Sequence, residues 1–355
     1  MKLIVTGGGT GGHIYPALEV ARLAAGQGAE ILYLGSLRGQ ESKICAARGV
    51  EFKGFPSEPL YSLKSIKGVQ SLLRLAKAKR MAATELRRAG ADAVFSTGGY
   101  SVGPVVAAAR SIRIPYFIHE ANSVPGRANL LFAKQAKAFT TLFKSTEKFA
   151  PGVDCTRVGQ PIRQELRQAC SNRKVESDFV LCVGGSQGSE FLNGCVPRAF
   201  AGEILGSARL LLASGPKNFE TTLRMVDELG IADRVMVKSY LETHELLEAY
   251  QRASVIVGRS GSSLAEFAVF GIPSVLIPLP NSAGDHQLHN AEEFVEMNAA
   301  TLIHQSDATP SLVAGAVAGW INDSSKRTAA KSALHDWDIL DATERIWRSI
   351  SGVAN

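Results

Sequence analysis

The sequence predicts an α/β protein made of two doubly wound parallel-sheet domains. Three observations predict it. Short apolar runs alternate with helical stretches along the whole chain; the pattern restarts near residues 175–178; and several of the strand-like runs end in clusters of glycine. The apolar runs are mostly continuous over four to six residues, as strands buried on both faces of a parallel sheet are. A chain of 355 residues suits two domains of roughly 150–170 residues each.

In the first half, strands are expected near Lys2–Thr6, Glu30–Leu34, Asp92–Ser96, Pro115–His119 and Ala138–Leu142. In the second half they are expected near Asp178–Val183, Ala208–Ala213, Arg234–Lys238, Ser254–Gly258, Ser274–Ile277 and Ala300–Ile303. Val158-Gly159-Gln160-Pro161 reads as a connector, and the polar stretch Arg163–Asp178 follows it. The expected domains are residues 1–160 and 161–337, with residues 338–355 forming a terminal helix that packs back on the N-terminal domain. Doubly wound sheets bind ligands at the carboxyl ends of their strands. With two such sheets, the expected site is the cleft between them.

Apolar residues make up 45% and charged residues 20% of the chain, the balance of a globular protein. No run approaches the roughly 18–20 apolar residues that span a bilayer. Met1-Lys2-Leu3-Ile4-Val5 leads straight into a strand, so no signal peptide is expected. Five scattered cysteines without a Cys-x-x-Cys pair fit buried thiols in a reducing compartment better than disulfides or zinc. The net charge of +6 favours anionic partners (nucleotides, nucleic acid or anionic lipid) without choosing among them.

Five loops carry the chemistry. The first strand runs into Gly7-Gly8-Gly9-Thr10-Gly11-Gly12-His13, and Pro16 suits the first turn of a helix. The loop thus opens a helix whose free N–H groups attract an anion. Gly7-x-Gly9-x-x-Gly12 matches a dinucleotide fingerprint, but the second strand ends in Leu34-Gly35-Ser36, with no acidic residue for an adenosine ribose. The P-loop lysine is absent too. The preferred reading is a loop that meets a sugar or phosphate and presents His13 as a proton acceptor. A helix-capping or surface histidine is the alternative.

Ser96-Thr97-Gly98-Gly99-Tyr100-Ser101 follows another buried strand, as a ligand approach or a simple turn. Gly184-Gly185-Ser186-Gln187-Gly188 repeats the strand-to-glycine-loop pattern in the second half, with Ser186 as a donor to phosphate or sugar. In Gly258–Glu266, Ser263-x-x-Glu266 reads as a capping box, or as a diphosphate cradle with Glu266 on a ribose. Asp285-His286-Gln287-Leu288-His289-Asn290 is too polar for a core and suits sugar hydroxyls and an acetamido group. His286 and His289 lack a third ligand for a metal.

Taken together, these blocks resemble the MurG family of undecaprenyldiphospho-muramoylpentapeptide β-N-acetylglucosaminyltransferases. The matching segments are GGGTGGHIYP at 7–16, STGGYSVGP at 96–104, HEANSVPGRAN at 119–129, VGQPIR at 158–163, VGGSQGSEFLN at 183–193, RSGSSLAE at 259–266, GIPSVLIP at 271–278, DHQLHNA at 285–291 and DATERI at 341–346. They cover nearly the whole chain in order. The chain departs from the family at Ala121 (usually Gln), at Gln160 (usually Asn), and in a segment 259–266 that is one residue short.

The resemblance implies a GT-B fold of two Rossmann-like domains, with acceptor in the N-terminal half and UDP-GlcNAc mainly in the C-terminal half. It implies donor-sugar contacts at Thr10, Gly11, Gly12 and Asn122, and diphosphate or nucleotide contacts at Arg163 and Ser186. By the same resemblance Leu241 is expected to hold uracil by a backbone group, Ser262 and Ser263 to lie in the phosphate loop, and Glu266 to meet the ribose. Gln287 and Asn290 are expected to meet GlcNAc, and His13 is the candidate base. No metal or other cofactor is expected. The implied reaction is inverting transfer of GlcNAc to the 4-hydroxyl of lipid-linked MurNAc-pentapeptide.

A lipid acceptor implies attachment to the cytoplasmic face of the bacterial inner membrane. The candidate contact with anionic lipid is residues 60–80. On a helical wheel Ile66, Val69, Leu72, Leu73 and Ala76 share one side, and Lys64, Lys67, Arg74 and Lys77 share another, with Leu63 among them. A nucleic-acid partner is not expected. The alternatives are a UDP-GlcNAc 2-epimerase, a lipid glucosyltransferase, an NAD-dependent oxidoreductase, or a silent nucleotide-sugar binder.

Overall fold

A computed structural model describes residues 1–56, 66–99, 101–185 and 187–354, with the backbone alone at 66–72, 353 and 354. The chain divides into two compact units, Met1–Arg163 with Ile339–Asn355, and Gln164–Asp338.

The first unit runs β1 (Lys2–Thr6), α1 (Gly11–Gly26), β2 (Glu30–Ser36), α2 (Glu41–Ala47), β3 (Phe52–Phe55), α3 (Ile66–Ala89), β4 (Ala93–Ser96), α4 (Val102–Ser111), β5 (Tyr116–Glu120), α5 (Arg127–Ala133), β6 (Ala138–Thr141), α6 (Thr146–Phe149) and β7 (Cys155–Arg157). The second runs α7 (Gln164–Ala169), β8 (Phe179–Val183), α8 (Glu190–Ala201), β9 (Arg209–Ala213), α9 (Phe219–Glu228), β10 (Val235–Lys238), α10 (Thr243–Arg252), β11 (Val255–Gly258), α11 (Leu264–Phe270), β12 (Ser274–Leu276), α12 (His286–Glu296), β13 (Ala300–Leu302), α13 (Pro310–Ile321) and α14 (Ser324–Trp337). The last helix, α15 (Ala342–Ala354), belongs to the first unit.

Both sheets are parallel and doubly wound. The first has the order β3-β2-β1-β4-β5-β6-β7 and the second β10-β9-β8-β11-β12-β13. All eleven strands expected from the apolar runs are present. The two missed strands, β3 and β7, are sheet edges. β3 (Phe-Lys-Gly-Phe) is mostly half-buried, and β7 has only three residues, so neither needs an apolar run.

The first sheet is covered on both faces. On one, Ala78, Ala82 and Leu86 of α3 pack with Val105 and Val106 of α4 and Phe132 of α5. On the other, Ile14, Leu18 and Ala21 of α1 meet Ile346, Trp347 and Ile350 of α15. Trp347 Nε1 also donates to Gln27 Oε1 at 2.7 Å. Burying Ile346 and Ile350 contributes roughly 1.5–3 kcal/mol each, which helps to hold the C-terminal segment to the first unit. The connector meets the returning chain at Gly159, whose φ is +79° and where a Cβ would stand 2.7 Å from Ile339 Cβ.

Candidate active site

The order of each sheet reverses once, between β1 and β4 and between β8 and β11. Ligands of open α/β sheets bind at such switch points, beyond the carboxyl ends of the strands. Four of the five loops singled out above leave these four strands. Glycine composition marked them; topology pairs them.

In the first unit the loops after β1 and β4 are stitched together. Gly8 N donates to Gly98 O at 3.0 Å. Gly99 has φ +93°, and a Cβ there would lie 2.0 Å from Gly8 O, so only glycine fits. His13 sits in the first turn of α1, half-buried. Thr97 binds it twice: its hydroxyl donates to His13 O at 2.6 Å, and its carbonyl lies 2.9 Å from His13 Nδ1. A carbonyl oxygen can only accept. The hydrogen of the neutral ring is therefore on Nδ1, and Nε2 carries the lone pair. The helix-capping alternative for His13 fails, because Thr10 is the N-cap residue.

Thr10 is exposed and makes no side-chain cap, and Gly11 and Gly12 are partly open. Arg163 is 6% exposed, with its guanidinium 4.7 Å above the ring of Tyr15. Asn122 follows β5, half-buried, with Nδ2 donating to Glu120 Oε1 at 3.2 Å. Behind it, His119 is fully enclosed between Thr140 Oγ1 (3.1 Å) and Gln160 Oε1 (2.9 Å). Burial holds its pKa down at about 4.

In the second unit, Gly188 has φ +74°, and a Cβ there would lie 1.9 Å from Ser214 O. Ser186 lies outside the described residues. Arg259 is buried and braces three segments. It donates to Ile277 O at 2.7 Å, Pro278 O at 2.9 Å, Ser189 Oγ at 2.9 Å and Gln305 Oε1 at 2.7 Å. None of these four acceptors is an anion, so a positive charge is left under the loop, though burial lowers the pKa of Arg259.

The expected capping box does not form. Ser263 is the N-cap residue of α11, but its side chain makes no capping bond. Glu266 Oε2 instead accepts from Tyr250 Oη at 2.9 Å. A capping box does form at the start of α10, where Glu242 pairs with Glu245 directly after the buried Leu241, a pairing without the Ser or Thr that usually marks one.

Ser260 Oγ donates to Gln287 O at 2.6 Å, and Asn290 Nδ2 to Ser260 O at 2.9 Å. Gln287 Oε1 accepts from Leu279 N at 3.0 Å, which turns its Nε2 the other way. Asn290 is fully buried. Its side chain braces the loop, whereas Gln287 stays half-open. His286 Nδ1 is bonded to Ala283 O and His289 Nδ1 to Glu292. Among the described residues no group of three His, Cys, Asp or Glu could hold a metal ion.

Residues 3–141 match the glycosyltransferase family 28 N-terminal domain, and residues 179–345 match the family 28 C-terminal domain. The UDP-N-acetylglucosamine–N-acetylmuramyl-(pentapeptide) pyrophosphoryl-undecaprenol N-acetylglucosamine transferase of Symbiobacterium thermophilum is 34% identical, over 100% of this chain and 96% of its own length. The transferase of the same name from Lactococcus lactis subsp. lactis is 30% identical over the full length of both chains.

The chain belongs to this family, the MurG transferases.

A solved MurG, from Acinetobacter baumannii, superposes with a TM-score of 0.77 at 24% identity, over 99% of both chains. The fold is thus GT-B, as the motif blocks implied. Two of the three departures from MurG have visible consequences. Ala121 is buried at 1% exposure, where a glutamine side chain would need partners. Gln160, longer by one methylene than the usual Asn, is the residue that reaches His119.

Proposed function

We propose that the chain transfers N-acetylglucosamine from UDP-GlcNAc to lipid-linked MurNAc-pentapeptide, the reaction named for relatives that match it end to end. The acceptor 4-hydroxyl attacks the anomeric carbon in one inverting displacement. The new C–O bond forms as the bond to the diphosphate breaks, UDP leaves with the electron pair, and the hydroxyl proton passes to His13 Nε2. The observation that carries this assignment is the contact of His13 Nδ1 with the Thr97 carbonyl, which leaves Nε2 as the basic nitrogen. General-base catalysis of this kind contributes about 100- to 10,000-fold.

The donor's nucleotide half is assigned to the second unit. Glu266, held by Tyr250, accepts from the ribose hydroxyls, and Leu241 supplies a backbone group to uracil. Ser262 and Ser263 donate to the diphosphate; their N–H groups donate to no backbone carbonyl among the described residues. Charge gathering on the leaving group is stabilised by such fixed donors and by the buried Arg259. Gln287 Nε2 and Asn122 are assigned to the sugar, Asn290 supports Gln287 through Ser260, and Ser186 and Arg163 to phosphate. Thr10, Gly11 and Gly12 line the approach to His13.

A membrane-linked acceptor supports a position on the cytoplasmic face of the bacterial inner membrane. Among the described residues no helix is long and apolar enough to cross a membrane. Part of the expected lipid contact, including Leu63 and Lys64, lies outside the described residues. Of the residues read on the helical wheel, the described side chains begin at Leu73, and these depart from it. Leu73 and Ala76, read as one side, are exposed together with Arg74 and Lys77 of the other, while Ala78 and Ala82 face the core. Leu73 is 67% exposed and Leu131 of α5, on the same face of the sheet, is 70% exposed. Exposed leucines among cations suit an anionic lipid surface.

The test is incubation with labelled UDP-GlcNAc and lipid-linked MurNAc-pentapeptide. A labelled disaccharide lipid is expected. Labelled ManNAc without any lipid product would instead reveal an epimerase.

A further inference from the structure

Glu120 ends β5 in the loop region of the first unit, and its carboxylate is 1% exposed. Among the described residues its carboxylate accepts four hydrogen bonds, all from uncharged donors. Oε1 accepts from Asn122 N at 3.0 Å and Asn122 Nδ2 at 3.2 Å. Oε2 accepts from Gly126 N at 3.0 Å and Asn129 Nδ2 at 2.8 Å. An ionised carboxylate offers about four acceptor sites. Here all are filled, so Glu120 has no lone pair left to take a proton from substrate.

Its effect lies in what it orients. A carboxylate only accepts, so both asparagines must turn their NH2 groups toward it and their Oδ1 atoms away. Asn129 is 2% exposed, and its Oδ1 has no partner among the described residues. The same Nδ2 also lies close to Gly98, in the loop after β4 whose Thr97 is bonded to His13. A Cβ on Gly98 would stand 2.9 Å from Asn129 Nδ2 and 3.4 Å from both Nδ1 and Cε1 of His13. Asn129 and His13 therefore flank the same glycine. Through two asparagines, one carboxylate sets both the loop that carries Asn122 and the wall beside the imidazole.

We infer that Glu120 is a positioning residue of the transferase, fixing residues 121–129 so that Asn122 and the His13 ring meet the reacting sugars in register. The inference rests on the transferase reading. Burying a carboxylate without a cation is costly, and an apolar residue would pack β5 without that cost. Retaining it makes sense where the two amides must point one way.

The experiment compares the parent with Glu120→Gln, Asn129→Ala and the double variant, measuring kcat and KM for UDP-GlcNAc against pH with the lipid acceptor. Glu120→Gln keeps shape but sets an NH2 group against N–H donors. Its kcat is expected to fall on the order of 100-fold, as for misplacement of reacting groups by about 1 Å. The donor KM should stay within about threefold, a split expected of orientation lost at the transition state. The low-pH limb of kcat/KM expected from a histidine base should remain. The double variant should lose no more than Glu120→Gln alone, because both changes break one network.

Asn129→Ala leaves the carboxylate and three of its bonds in place. It decides the matter if Glu120→Gln does not fold: kcat must fall with donor KM and the pH limb unchanged. Parent-like kcat in either variant, losses that multiply in the double variant, or disappearance of the low-pH limb in Glu120→Gln would overturn the inference. An inactive parent would contradict the transferase reading instead.

Discussion

His119 makes the stability of the first unit depend on pH in a calculable way. The ring is fully buried with both nitrogens hydrogen-bonded, and its pKa falls from 6.5 to about 4, burial being the largest cause. In the unfolded chain it titrates at its ordinary value. A histidine with a lowered folded pKa contributes its full stability above the unfolded pKa, and this is lost as pH falls through the folded value. Each pKa unit is worth about 1.4 kcal/mol, so ~3 kcal/mol should vanish between pH 6.5 and about 4. The assay is denaturant unfolding of the parent and His119→Gln, with Trp320 and Trp337 replaced by Phe so that Trp347 reports on the first unit alone. The stability difference between the two proteins should be constant above pH 7. It should then shrink by about 1.4 kcal/mol per pH unit below 6.5. A difference that stays flat down to pH 4.5 would refute the argument.

Three further outcomes follow from the geometry. Gly99→Ala should cost more than about 1 kcal/mol in stability and abolish turnover, because the added carbon meets Gly8 O; thermal melts and the transfer assay check both. Tyr250→Phe removes the hydroxyl that holds Glu266, worth ~1 kcal/mol, so donor affinity measured by calorimetry should fall roughly fivefold with the fold intact. Charge reversal at Arg74 and Lys77 should weaken binding to anionic vesicles by about 1 kcal/mol per residue; sedimentation unchanged by reversal would remove this helix from the membrane contact.

Much of the fold is legible in the sequence, because strands buried on both faces must be apolar throughout. Val5, Val94, Leu181 and Ile256 sit in such runs, and each lies in a central strand. The edge strands β3 and β7 escape because Lys53 and Arg157 can stand at a border with solvent. The glycine loops are legible for a related reason: Gly99 and Gly188 stand where backbone passes against backbone at positive φ, and no other residue can. Local signals mislead where a distant partner competes. Ser263 and Glu266 have the spacing of a capping box, yet Tyr250, sixteen residues away, takes the carboxylate. The pairing of Glu120 with Asn129, and of His119 with Gln160, leaves no periodic trace. These contacts join residues nine and forty-one apart, and only the folded sheet brings them together.

The proposed base is His13, presented by its glycine loop with Nε2 toward the acceptor's proton. The decisive measurement is the pH dependence of kcat in the parent and in His13→Ala, with labelled UDP-GlcNAc and lipid-linked MurNAc-pentapeptide. Expected are a fall of about 100- to 10,000-fold in kcat, loss of the low-pH limb, and donor affinity within a few-fold of the parent. A His13→Ala enzyme that turns over at the parent's rate, with the same pH profile, would contradict the assignment.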